Sequence, residues 1–250
     1  DEFSRLRARI GYARPFVTDP RQPTSALGEA LAAGVELDEL WWLVSNDARP
    51  GPALSAVRAR LDELAAPLAE TMIERTSIGV ASDAQLLVAH VHGELGFVGN
   101  HDAYHDPRNS LVSDVLDRRL GIPITLALVL IEIGRRVGMT VRGVGFPGHF
   151  LARVERDGAH ALLDPFAGTI LTRPTLERLA LRTIGTTTPG PEHMAPADGR
   201  AIVVRILRNL KHAYELRGQH AQALVATDRL GDLTSASDLL RDRGRHSLAL

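Results

Sequence analysis

Between Leu54 and Leu68 the apolar residues Leu54, Val57, Leu61, Leu64 and Leu68 recur at three- and four-residue spacing, which predicts an amphipathic helix with one buried stripe. Ahead of it, SALGEALAAGVELDELWWLV from Ser25 to Val44 predicts one or two short helices, and Asn46 to Pro52 predicts a turn. Leu86, Leu87, Val91 and Leu95 mark a further helix starting near Ser82. The run ITLALVLIEIG from Ile124 to Gly134 is apolar nearly all round, so its helix is expected to be buried. Pro123 suits the first turn of that helix, where its missing N–H costs no bond, and Gly138 suits its end. The period then changes from helical to alternating. Strands are predicted at Val141 to Phe146, His149 to Glu155 and His160 to Leu163, with Phe150, Ala152 and Val154 on one face and Arg156 to Gly158 as a hairpin turn. After a Pro/Gly/Thr-rich linker from Thr187 to Gly199, Ile202, Val203, Ile206, Leu207, Leu210 and Tyr214 form a second strong helical stripe. Gly218 ends that helix, another runs from His220 to Leu230, and a third is expected near Ser235 or Ser237.

Several segments lack periodicity. Residues 1–26 carry Pro15, Pro20 and Pro23 and read as a loosely attached opening. Gly93 to Pro107 reads as a loop, after which Asn109 or Ser110 is expected to cap a short helix ending near Arg119. Of the only two tryptophans, Trp41 and Trp42, one is expected in the core and its neighbour half exposed.

Composition narrows the function. Aromatic residues make up 4% of the 250, so the core must be built from Leu, Val, Ile and Ala. The formal net charge is -1, which argues against a nucleic-acid partner held by bulk charge. Lys211 is the only lysine, which removes lysine as a general catalytic choice. The chain has no cysteine, which excludes disulfides, thiolate metal sites and thiol catalysis. No apolar run is long enough to cross a bilayer and no basic-then-apolar leader is seen, so the expected setting is the cytoplasm, with no membrane partner.

Two clusters carry chemistry. In HDAYHDPRNS, His101 and His105 stand four apart, a spacing that on a continuous helix makes a metal pair. Gly99, Asn100 and Pro107 argue against such a helix, and the competing reading is an Asx-rich loop packed on the core. The other cluster joins His149 in GFPGHF to Asp164 in LLDPF. A buried hydrogen bond between two strands is one reading of that pair; a general base for a bound water, or a ligand contact, is the other. Arg118 and Arg119 read as a solvated or ion-paired face.

Taken together, DPRNS, RRLGIPITL, GFPGHF and LLDPF resemble the bacterial SirB-type proteins of the transglutaminase-like superfamily, and the resemblance runs from about Glu36 to the end. It implies an α+β, papain/transglutaminase-like core: a buried helix packed on a small antiparallel sheet, with a helical N-terminal region over 1–98, the core over 99–186, and a linker with tetratricopeptide-like helices over 187–250. Leu210, Tyr214, Gly218, Ala223 and Leu224 in the tail resemble a tetratricopeptide repeat, and RDRG at Arg241 to Gly244 resembles the family's closing motif. The resemblance further implies a Cys-His-Asp triad in which His149 is the base and Asp164 the orienting carboxylate. The cysteine's place at the start of the buried helix is taken by Pro123. Thr125 does not replace it, since two residues along a helix turn a side chain about 200° away. The ligand cleft implied has Tyr104, Arg108, Asn109, Ser110, His149 and Asp164 as candidates. The expected function is a non-catalytic module that binds a protein or peptide, without a cofactor; the competing expectation is a hydrolase that uses His149 and Asp164 with water or a metal.

Overall fold

The computed structural model describes residues 25–75, 79–234 and 246–247. The chain opens with helices α1 (Ala26–Ala33), α2 (Leu37–Ala48) and α3 (Leu54–Glu74). Ser25 starts α1 by accepting the Gly28 N–H at 3.2 Å. On α3 the buried residues are Val57, Leu61, Leu64, Ala65 and Leu68, the stripe legible in the sequence. Trp41 is buried with its indole N–H on the Ser110 carbonyl at 2.8 Å, while Trp42 is half-buried and donates to the Pro52 carbonyl. The next helix, α4 (Val80–Val88), widens into a π-helical turn at Ala89–Glu94, which carries His90 and His92.

A two-residue strand, β1 (Val98–Gly99), pairs in parallel with β2 (Leu120–Gly121), placing Gly99 opposite Gly121. Between them lie a run of turns, a 3-10 helix at Pro107–Asn109 and α5 (Val112–Arg118). The expected capping of α5 by Asn109 or Ser110 is corrected: the Val112 N–H donates at 2.9 Å to the hydroxyl of Ser45 on α2. A distant side chain supplies the acceptor that a local one was expected to give.

The central helix α6 (Pro123–Arg136) is buried at every residue from Pro123 to Gly134, as its all-round apolar sequence requires. It packs on an antiparallel sheet of β3 (Thr140–Val144), β4 (Leu151–Arg156), β5 (Ala159–Asp164) and β6 (Thr169–Ile170), in that order. Asp157 and Gly158, with φ of 49° and 79°, make the β4–β5 turn, whose positive angles match the right-handed twist of the hairpin. Phe150, Ala152, Val154 and Leu163 belong to the same apolar core as α6. Val144, Phe146 and Leu151 form a second, smaller cluster with Leu179 and Ala180 of α7 (Arg173–Ile184). No helix was anticipated there, although Thr172, whose hydroxyl accepts the Thr175 N–H, and Pro174 in the first turn are its start signals.

The tail folds as a packed pair, α8 (Gly199–Glu215) and α9 (His220–Leu233), and the predicted stripe from Ile202 to Tyr214 is buried. The linker before it is fastened to the sheet, since the Ala197 N–H donates to the Gly143 carbonyl at 2.8 Å and Pro196 bridges to Val144. The main apolar core takes residues from Leu27 to Leu233, so the helical opening, the sheet and the tail share it. Most of the opening segment (1–24), the further tail helix expected near Ser235 or Ser237 and the RDRG motif lie outside the described residues. Among the described residues, no helix is long and apolar enough to cross a membrane.

One ionic cluster is buried where α2, α3 and α6 meet. Asp38 is 0% exposed and accepts from Arg58 Nε at 3.1 Å and from Arg136 at 3.1 Å, while Arg135 lies 3.5 Å away. Glu132, also buried, pairs with Arg135 at 2.9 Å and Arg136 at 2.5 Å.

Candidate functional site

His149 is positioned by a tight turn before β4, in which its N–H donates to the Phe146 carbonyl at 3.0 Å. Asp164 ends β5, and its Oδ1 accepts the N–H groups of Phe166 at 2.9 Å and Ala167 at 3.0 Å. Those two bonds are local to the LLDPF sequence and fix the carboxylate where the strand turns back. The sheet register brings the two side chains together: Nε2 of His149 is 3.0 Å from Oδ1 of Asp164. The two atoms stand at hydrogen-bond distance, with an angle at Nε2 short of a well-aligned bond. Burial alone would raise the Asp164 carboxyl, but contact with His149 and the two backbone N–H groups outweighs it and holds the group below its ordinary range. The side chains keep 16% and 18% of their surface, although His149 Nε2 itself is enclosed.

The HDAYHDPRNS loop reaches this pair through Phe166. Its ring lies 4.4 Å from the ring of His101 and 5.7 Å from that of Tyr104, centre to centre. On the other side the ring presses on Gly99 of β1, where an added Cβ would fall 2.6 Å from it. Gly99→Ala is therefore expected to cost about 1–3 kcal/mol of stability, the range for an overfilled core. Thermal unfolding checks it against Gly145→Ala, where a Cβ meets nothing within 4 Å and the loss should stay near 0.5 kcal/mol or below.

The remaining loop candidates separate. Asn109 is buried and wholly engaged: Oδ1 accepts from Asn100 at 2.9 Å, and Nδ2 donates to the carbonyls of Ala103 at 2.7 Å and Tyr104 at 3.1 Å. Ser110 is buried too, with its carbonyl on Trp41. Both tie the loop to the core instead of facing a cleft, which corrects the expectation for them. Arg108 is held by Asp106 at 2.6 Å beside a groove with Arg49 and Arg217, and no contact links it to His149. His101 and His105 do not converge: the loop is a series of turns, and the ring of His105 packs on His212 at 4.9 Å. Among the described residues, no group of three or more His, Asp or Glu side chains could hold a metal ion.

Pro123 opens α6, and the strand before that helix, β2, lies beside β1, whose Gly99 receives the Phe166 ring. One strand thus links the start of the buried helix to the Asp164 turn. Thr125 is fully buried, with its hydroxyl on the Asn109 carbonyl at 2.7 Å, and has no free reach into a site.

A buried helix leading into an antiparallel sheet that presents a His–Asp pair is the arrangement to which comparison with known proteins speaks. The family model described as the transglutaminase-like superfamily matches residues 55–208. The chain belongs to the transglutaminase-like superfamily. A UPF0162 protein of Xylella fastidiosa (strain Temecula1) is 38% identical over 214 residues, which cover 79% of this chain and 76% of that protein. A UPF0162 protein of Vibrio cholerae is 35% identical over 156 residues, covering 60% of this chain and 57% of that one. Human F-box only protein 21 is 38% identical over 76 residues, 30% of this chain and 12% of that protein. No solved structure matches. As a transglutaminase-like domain the chain departs from thiol chemistry in one respect: it contains no cysteine.

Two side chains that pack on the residues flanking His149 and Asp164 were not singled out by the sequence. His92, on the π-helical turn, donates from Nδ1 to the Phe97 carbonyl at 2.7 Å and covers Gly168 of the Asp164 turn. Burial pushes its pKa down, and its Nε2 is enclosed with no hydrogen-bond partner among the described residues. Arg205, on α8, lies over Phe150 with its guanidinium carbon 5.4 Å from the ring centre. No sequence pattern marks His92; Arg205 is legible only as a charge at the border of an apolar stripe.

Proposed function

We propose that this chain is a non-catalytic transglutaminase-like protein of the SirB type that binds a protein or peptide segment beside His149 and Asp164, in the cytoplasm and without a cofactor. The observation that carries the reading is Pro123 as the first residue of the buried helix in a chain with no cysteine. A helix N-terminus lowers a thiol's pKa through its dipole and free N–H groups, and a histidine then stabilises the thiolate. A proline ring offers no nucleophile and removes one of those N–H groups. The partial exposure of the His149 and Asp164 side chains supports ligand contact there. The packed α8–α9 helix pair supports the reading of the tail as a tetratricopeptide-like unit, an element whose faces commonly receive peptides.

The retained pair favours one competing reading, a hydrolase in which His149 takes a proton from water as the hydroxide adds to a carbonyl carbon. The two readings part in a panel of amide, peptide and ester substrates assayed with the wild type and His149→Ala. The expected result is no turnover above the uncatalysed rate in either. Turnover by the wild type that His149→Ala abolishes would overturn the binding-only reading.

A further inference from the structure

Over Phe150, the residue that follows His149, stands a positive charge with no partner among the described residues. Arg205 is half-buried, and burial pushes its guanidinium pKa down, offset in part by Tyr104. It nevertheless stays charged, as arginine does in proteins. Among the described residues no carboxylate pairs with it and none of its N–H groups is hydrogen-bonded. Three other arginines near the tail are not in this state. Arg49, Arg108 and Arg217 border a groove of about 340 Å³, and each is engaged, by Asp114, by Asp106 and by the His105 carbonyl respectively. A partly buried charge is ordinarily paired, so one left without a partner is a place for an incoming anion.

Its surroundings are rigid. Phe150, under the guanidinium, follows His149 directly, and Gly143 makes room for its ring: an added Cβ there would lie 2.7 Å from the ring and 3.6 Å from Ile202 of α8. Tyr104 is 39% exposed, its ring rests on Phe166, and its hydroxyl forms no hydrogen bond among the described residues. Arg205 and Tyr104 thus offer unused donors from two elements, the tail helix and the loop.

We propose that Arg205 and the Tyr104 hydroxyl receive a carboxylate of the bound peptide, an acidic side chain or a free C-terminus, next to His149 and Asp164. This rests on the peptide-binding reading above and names the chemistry of what is bound. A planar carboxylate matches the guanidinium fork. One uncompensated cation suits a monoanion better than a dianionic phosphate.

The test uses an array of N-acetylated hexapeptides with five randomised positions and a fixed central Glu, Gln, Lys or phosphoserine, all amidated at the C-terminus. A parallel Gln set ends in a free carboxylate. The array is read with the full chain and with Arg205→Gln, Arg205→Lys and Arg108→Gln. The wild type should retain the Glu set or the free-carboxylate set roughly tenfold better than the amidated Gln set, the scale of one charge-assisted contact. Arg205→Gln should erase that preference while binding the amidated Gln set as before, which shows that it is folded. Arg205→Lys should keep part of the preference, and Arg108→Gln all of it. Peptide binding with no acidic preference, or a preference that survives Arg205→Gln, overturns the inference alone. A phosphoserine set bound tenfold better than Glu overturns the carboxylate in favour of phosphate. Retention of no peptide at all overturns this inference and the peptide-binding reading together.

Discussion

Replacing Asp38 by alanine is expected to lower the stability of the chain by about 3–5 kcal/mol, the range for removing one partner of a buried ion pair. Asp38 sits at 0% exposure with Arg58 and Arg136 on its two oxygens, at the junction of α2, α3 and α6. Its loss leaves Arg136, 10% exposed, with only Glu132 and the surface carboxylate of Asp62. Burial by itself would raise the Asp38 carboxyl, but the hydrogen bonds and charges of Arg58 and Arg136 outweigh it and hold the group below its ordinary value of 3.8. A carboxyl depressed in the folded state contributes stability that is complete above its unfolded value and is lost as pH falls through the folded one. The wild type should therefore lose stability as the pH drops below about 4, and Asp38→Ala should lose less over the same interval. Denaturant unfolding at neutral and acid pH measures both. A loss below about 1 kcal/mol at neutral pH would show that the cluster behaves as a surface ion pair.

Much of the fold was legible because its signals are local. The stripe of α3, the all-round apolar run of α6, the Asp157–Gly158 turn and the glycine ends of helices follow from spacing and single-residue conformation. What escaped depends on distant partners or on segments too short for a period. β1 and β2 have two residues each and are set by pairing across the loop between them. The cap of α5 comes from Ser45, which nothing near Val112 announces. In the site, His149 and Asp164 could be named because turns fix them from within their own motifs. Asn109 has the polarity of a ligand contact, yet its hydrogen bonds close within its own loop. Arg205 comes to lie over Phe150 only through a tertiary contact of α8, which spacing does not encode.

Pro123→Cys has the second large expected effect. If the start of α6 is where sulfur chemistry would begin, a thiol placed there meets a helix N-terminus and an imidazole at once. Its pKa should fall below about 7.5, against about 8.5 for a free cysteine. The chain has no other cysteine, so every alkylation event reports this one. The measurement is the pH dependence of iodoacetamide alkylation of Pro123→Cys, alone and combined with His149→Ala. A depressed thiol pKa that rises by a unit or more when the imidazole is removed is the predicted result. A thiol that titrates like a free cysteine, indifferent to His149, would contradict the assignment of residue 123 to the nucleophile's place.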